Sequence, residues 1–294
     1  RDRQISYSEL ESLVETAAAA FLRAGYGKGT SVALFLGNSP DHPINFFGAL
    51  KAGARIVHLS PLDGEIALSH KLSDSGARVL VTSNLSALLP TALKFLDKGL
   101  LDRLIVCEDD NWGKVGTQQT ALPDNPKIIT HRQFIEGVTK PSQWPAVDVE
   151  DVALLQYTGG TTGLPKGAML SHGNLTAAVS IYDVWGRPGR LERNAIERVI
   201  CVLPLFHIYA LTVVLLSVIR RGHLISLHQR FDVEAVMRDI EVKRATVFPG
   251  VPTMWIAIAS LPDLDKRDLS SLVVAGSGGV DTPRYVVAMV THGA

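Results

Sequence analysis

Eleven consecutive residues carry the densest chemistry of the chain: Tyr157-Thr158-Gly159-Gly160-Thr161-Thr162-Gly163-Leu164-Pro165-Lys166-Gly167. They hold four glycines, four hydroxyl-bearing side chains and one lysine, directly after an apolar run. Glycine permits positive φ and lets the backbone approach a ligand closely. Successive backbone N–H groups in such a loop form a concave anion site. The hydroxyls of Thr158, Thr161 and Thr162 add donors, and Lys166 adds a cation. A chain of phosphates needs this combination. The bland alternative is a glycine-rich hairpin with nothing bound, and the Thr and Lys content weighs against it. The loop is not a Walker A motif, which requires Gly before the Lys and Ser or Thr after it. Here Pro165 precedes Lys166 and Gly167 follows.

Two further places could do chemistry. His207 ends an apolar strand and opens an apolar helix, which puts it at a strand's carboxyl edge, where open α/β sheets collect ligands. On position alone a buried, hydrogen-bonded core histidine is the alternative. Ala275-Gly276-Ser277-Gly278-Gly279 is a run of small residues that leaves the backbone open to close approach, or is simply a strand-to-helix turn. Other features read as structural. Met254, Trp255 and Ile258 form an apolar helical stripe, a core signature. Arg187, Arg190, Arg193 and Arg198 alternate with Glu192 and Glu197, which reads as a solvated loop face. The histidines show no HExxH spacing, so no metal ligand set is expected within the chain. Cys107 and Cys201 lack CxxC spacing, and a reducing, cytoplasmic compartment is expected.

These groups must be held by alternating elements. Ser8 and Glu11 spell a capping box ahead of a helix that runs to about residue 24, with Gly25 as its stop. Strands are expected at 32–36, 55–59, 78–82 and 104–107, with helices at 41–52, 62–75 and 85–97 between them. Residues 108–130 are polar and broken by Gly and Pro, and read as a long surface loop. A second series follows, with strands at 152–157, 168–171, 199–203, 223–227, 245–248 and 272–275. Its helices fall at 175–185, 208–219, 233–242, 253–260 and 283–290, and Asp232 sits at an N-cap position. The alternation predicts an α/β fold whose parallel sheets are covered on both faces.

The chain's 294 residues suit one large domain or two modest ones, with αβ subdomains expected at 1–150 and 151–294. Lys plus Arg and Asp plus Glu are 29 each, and this balance gives no footprint for nucleic acid. Residues 199–219 carry no formal charge and reach the length of a membrane span. Pro204 would break such a helix, so a buried strand, a loop and a buried helix are expected instead. No transmembrane span is expected, and peripheral membrane contact stays open.

The loop resembles the phosphate-binding signature of the adenylate-forming (AMP-binding) enzymes, and its Thr-Gly-Gly-Thr-Thr-Gly wording is most similar to long-chain fatty-acyl-CoA synthetases. Further landmarks stand in family order: Ser6-Tyr7, Asn38-Ser39-Pro40, Lys51-Ala52-Gly53-Ala54, Leu203-Pro204-Leu205-Phe206-His207 and Gly250-Val251-Pro252-Thr253-Met254. The resemblance covers nearly the whole chain. It implies the parallel-sheet αβ layers of that family's N-terminal domain, ending ahead of the C-terminal lid domain that bears a catalytic lysine. It implies a carboxylate–CoA ligase with ATP, Mg²⁺ and coenzyme A, acting on a small-molecule carboxylate, with a fatty acid favoured. Thr158, Gly159, Gly160, Thr161, Thr162, Gly163 and Lys166 would bind the ATP phosphates. His207 would lie by the carboxylate and the α-phosphate. Tyr209, Gly276, Ser277, Gly278 and Gly279 would line the adenine and acyl pocket. Gly278-Gly279 departs from the usual Ala-Pro of relatives. The alternatives are an adenylation domain serving another acceptor, or a non-catalytic nucleotide- or acyl-binding module. Without the lid lysine, the isolated chain is expected to adenylate weakly.

Overall fold

The computed structural model describes residues 3–113, 117–158, 163–185 and 195–277. The chain divides into two compact units, Arg1–Leu175 and Thr176–Ala294. The division falls later than the expected 150/151, because the strand over 152–158 is hydrogen-bonded into the first sheet.

In the first unit, helix α1 (Tyr7–Arg23) leads into strand β1 (Ser31–Phe35), then α2 (Asp41–Lys51) and β2 (Arg55–His58). Next come α3 (Glu65–Ser75), β3 (Val79–Ser83), α4 (Leu89–Asp97) and β4 (Arg103–Cys107). Strand β5 (Ile128–Thr130), short helix α5 (His131–Ile135), β6 (Val152–Thr158) and β7 (Lys166–Ser171) complete a seven-stranded sheet of order β5-β4-β3-β1-β2-β6-β7. Helix α6 (His172–Trp185) starts in this unit and ends in the next. Every residue of β1 and β3 is buried, as a parallel strand covered on both faces requires. The core packs Phe35, Leu80, Phe95 and Leu104 together, each fully or nearly fully buried. Each such side chain stabilises the unit by about 1.5–3 kcal/mol.

Three expectations change here. The N-cap of α1 is Ser6, whose Oγ accepts from the Glu9 N–H at 3.1 Å. Ser6-x-x-Glu9 spells the same pattern two residues earlier, and the Glu9 carboxylate pairs with Arg3 instead of closing the box. The segment 108–130 is not wholly loop, since Ile128–Thr130 pairs in parallel with β4. The sheet is not wholly parallel, since β7 runs antiparallel to β6. A short connection permits only that direction, because a parallel crossover needs a dozen or more residues.

The second unit holds β8 (Arg198–Cys201), a π-helical stretch Ala210–Leu216, α7 (Ser217–Arg221) and β9 (Leu224–Leu227). It continues with α8 (Val233–Glu241), β10 (Val247–Gly250), α9 (Pro252–Ala259) and β11 (Val274–Ser277). The sheet order is β11-β10-β8-β9, and all three pairings are parallel. Asp232 caps α8 by accepting from Ala235 N–H. Trp255 and Ile258 are fully buried with Phe248 and Val236, and Met254 packs against them, as the stripe predicts. The uncharged stretch 199–219 breaks at Pro204 into strand, turn and helix. Among the described residues no helix is long and apolar enough to cross a membrane. The helix expected at 283–290 lies outside the described residues.

Candidate active site

The glycine-rich segment connects β6 to β7, and its two ends face each other. Register pairs Thr158 with Lys166 and Tyr157 with Gly167. Thr158, Gly163 and Lys166 are exposed. Gly159, Gly160, Thr161 and Thr162 lie outside the described residues. Both ends are tied down by α3. The Tyr157 hydroxyl donates to Asp74 Oδ2 at 2.6 Å, and His70 Nε2 meets the Pro165 carbonyl at 2.9 Å. Burial and the adjoining Asp74 carboxylate push the Tyr157 phenol well up. The Lys71 ammonium lies 5.4 Å from the Tyr157 ring centroid and pairs with Asp63 at 2.6 Å. Gly167 is dictated by this anchor, because a Cβ there would stand 3.0 Å from the Tyr157 ring. Sequence reasoning did not find His70 and Asp74. They lie 95 and 83 residues from the groups they hold, and no motif marks them.

His207 follows β8 at the carboxyl edge of the second sheet and is exposed, so the buried-histidine alternative does not apply. The Tyr209 N–H donates to His207 Nδ1 at 3.2 Å. That bond leaves the proton of the neutral ring on Nε2. The first turn then runs into the π-helical stretch, where the Ser217 hydroxyl donates to the Thr212 carbonyl five residues back at 2.7 Å.

Beneath this helix lies a cavity of about 160 Å³. One wall is a helical line spaced by four residues: Tyr209, Val213, Ser217 and Arg221. The other wall is one face of the sheet, read at every second residue of three strands. Val199, Val247 and Val274 are register partners and form a middle row. Pro249 and Gly276 form the row nearer the carboxyl edge. Glu197 and His223 sit just before β8 and β9, at the opposite edge. Tyr209 and Gly276 therefore share one cavity. The Trp255 indole donates to the Gly276 carbonyl at 3.2 Å. Burial and nearby Tyr182 raise the Tyr209 phenol. Ser277 ends β11, while Gly278 and Gly279 lie outside the described residues. Glu197 corrects the expectation of a solvated charge run: it is buried, 6% exposed, because the strand pairing draws it against His223. Arg198 beside it is exposed, and Arg187, Arg190, Glu192 and Arg193 lie outside the described residues.

Among the described residues one trio of side chains able to ligate a metal converges: Asp41, Cys107 and His131, all buried and within 4.8 Å. It does not suit Mg²⁺, which takes oxygen ligands in octahedral geometry. Its atoms are already engaged: Trp112 Nε1 donates to Asp41 Oδ2 at 2.9 Å, and His131 Nε2 meets Asn45 Oδ1 at 3.2 Å. Burial pushes the Asp41 carboxyl up to about 6 and the Cys107 thiol well up. The trio is a hydrogen-bonded part of the core.

A family model described as "AMP-binding enzyme" matches residues 1–291. The chain belongs to the AMP-binding enzyme family. Within this adenylate-forming family it is similar to the long-chain-fatty-acid–CoA ligase of Bacillus subtilis, 33% identical over an alignment of 279 residues that covers 90% of this chain and 49% of that one. It is similar to 4-coumarate-CoA ligase 1 of Narcissus pseudonarcissus, 32% identical over 279 residues, covering 94% of this chain and 48% of the relative. Among solved structures it is similar to the long-chain-fatty-acid-CoA ligase FadD1 of Archaeoglobus fulgidus, with a TM-score of 0.79 and 25% identity, covering 98% of this chain and 53% of that one. The chain thus spans about half the length of the curated relatives it matches. The mostly parallel α/β architecture of this AMP-binding chain agrees with the N-terminal half of the adenylate-forming fold.

Proposed function

We propose that this chain carries the phosphate-binding and acid-binding parts of an ATP-dependent carboxylate–CoA ligase, with a fatty acid as its substrate. The observation that supports this reading best is the cavity shared by Tyr209 and Gly276 under the helix that His207 opens. A mostly apolar cleft with a few convergent polar groups is the form of a small-molecule site.

In this reading the acid's alkyl part enters the cavity, and its carboxylate stays at the carboxyl edge. His207 Nε2–H donates to a carboxylate oxygen and orients the other toward the α-phosphate of ATP. That oxygen attacks phosphorus in line, the bond to the β-phosphate bridging oxygen breaks, and pyrophosphate leaves. Lys166, the Thr158 hydroxyl and the loop N–H groups of Gly159, Gly160, Thr161, Thr162 and Gly163 hold the β- and γ-phosphates and the charge that collects on them. Coenzyme A then supplies a thiolate that attacks the acyl carbon, and AMP departs. Two buried free cysteines, Cys107 and Cys201, fit a cytoplasmic setting for this chemistry.

Carboxylate-dependent ATP–pyrophosphate exchange on the full-length gene product tests the reading, with dodecanoate set against an aromatic acid. Exchange with dodecanoate is the expected result. Preference for the aromatic acid would move the substrate to the coumarate-ligase side. Folded protein that exchanges with neither would favour a binding module.

A further inference from the structure

The far end of the cavity is lined by charged groups that are already engaged. Glu197 and His223 stand there at the amino edge of the sheet, with side chains only 8% and 13% exposed. Leu224 N–H donates to the Glu197 carbonyl at 3.0 Å, which sets the two residues side by side. Glu197 N–H donates to His223 Nδ1 at 3.4 Å, and His223 Nε2 lies 3.6 Å from Glu197 Oε2. Both residues have further partners. Arg221 ends the helical line of the other wall. Its Nε donates to Asp183 Oδ1 at 2.7 Å, and its second nitrogen meets the Asp183 carbonyl at 3.3 Å. The depth of the cavity follows from the strands. Glu197 precedes Val199 by two residues, and Val247, the register partner of Val199, precedes Gly250 at the end of β10 by three. Those five residues span about 17 Å.

We propose that the partnered groups Glu197, His223 and Arg221 form a fixed stop that limits the acid by length, admitting dodecanoate and excluding octadecanoate. An extended dodecanoate fits the depth from the carboxyl edge to this stop, and an extended octadecanoate exceeds it. Along the way the sheet offers a row of valines, so each added methylene gains burial until the stop is reached. Beyond it the tail must part Arg221 from Asp183 or push Glu197 off His223. Either move leaves a buried charge without its partner, which is costly. An apolar plug would yield by changing rotamer, whereas side chains tied on several sides hold their place. The inference rests on the reading of the cavity as the acid site, and it names the class of acid.

The test is titration calorimetry of the 294-residue chain with octanoate, decanoate, dodecanoate and octadecanoate, each held below its micelle threshold. Affinity is expected to rise about tenfold for every two carbons as far as dodecanoate. Octadecanoate is then expected to bind at least about tenfold more weakly than dodecanoate, as an overfilled pocket requires. His223→Ala shortens the stop and is expected to bring octadecanoate level with dodecanoate. Octanoate ends short of the stop, so its affinity is expected to be the same in parent and variant, which a general loss of structure would not allow. Glu197→Ala serves if the first variant does not give a native circular dichroism spectrum. Octadecanoate binding the parent as tightly as dodecanoate would overturn the proposal while leaving the cavity as an acid site. A dodecanoate preference that survives in both variants would overturn it too. If no acid binds, the proposal falls, and a silent pyrophosphate exchange alongside would bring down the ligase reading with it.

Discussion

Lys166 stands exposed at the head of β7, opposite Thr158. It supports no core, so its removal reports on a ligand and not on the fold. Lys166→Ala is expected to raise the KM for ATP in the exchange reaction by about tenfold to a hundredfold, the loss of one charge-assisted hydrogen bond. Its urea midpoint should match the parent, and an unchanged KM would remove Lys166 from the phosphate site. Gly276 makes the complementary case. A Cβ there would have Pro249 Cα at 3.9 Å as its nearest neighbour, so the fold has room and the new side chain enters the cavity. Gly276→Val is expected to weaken dodecanoate binding at least about tenfold, on the order of the loss that crowding an apolar pocket brings. Calorimetry of parent and variant decides it. At this scale the sequence was most legible where chemistry and covalent neighbours coincide. Thr158 and Lys166 share one motif, and His207 ends a strand. Glu197 was not legible: its local company is charged, and only pairing with the strand after Gly222 buries it.

Elements were legible where a hydrophobic period ran long enough. Strands β1 to β4 and their helices fall within a few residues of expectation. Strand β5 was missed because Ile128 and Ile129 are its only apolar residues. The direction of β7 was missed because alternation marks a strand and says nothing of its sense. The π-helical turns of Ala210–Leu216 were hidden in a run that is apolar but for Thr212, where three, four and five residue spacings look alike. Packing between α1 and α2 shows what such patterns still encode. Ala17, Ala18, Ala19 and Ala20 are all buried, and Gly48 of α2 meets them. A Cβ at Gly48 would lie 2.8 Å from Ala17 Cβ and 3.3 Å from the Ala18 nitrogen. No flexible side chain is there to yield, so the helices must part. Gly48→Ala is expected to destabilise the first unit by about 1–3 kcal/mol, despite its better helix propensity. Urea unfolding measures this, and a stabilised variant would show that the helices do not pack as described.

Across the molecule, buried imidazoles set the acid limit of stability. Burial lowers His58 and His131 to about 4, and burial with His58 nearby holds His42 well below its usual value. The Nδ1 and Nε2 atoms of His42 and Nε2 of His58 are buried and have no hydrogen-bond partner. These three groups contribute stability that is fully present above about pH 6.5, and it drains as pH falls toward the folded values. Asp41 acts in the opposite sense. Its raised value, about 6, adds stability as pH falls through that point. Three imidazoles against one carboxyl leave a net loss. Stability is expected to fall by a few kcal/mol between about pH 7 and pH 5. Urea titrations at the two values test it, and a flat or rising profile would show that these rings are not buried neutral.

The antiparallel pairing of β7 has a thermodynamic consequence. Because Thr158 and Lys166 are ladder partners, the sheet has already closed the loop between them. The entropy of bringing those ends together is therefore spent in folding and is absent from nucleotide binding. Fraying β7 would move that cost to the binding step. A substitution in this edge strand could then weaken ATP affinity while every ligating atom remained in the chain.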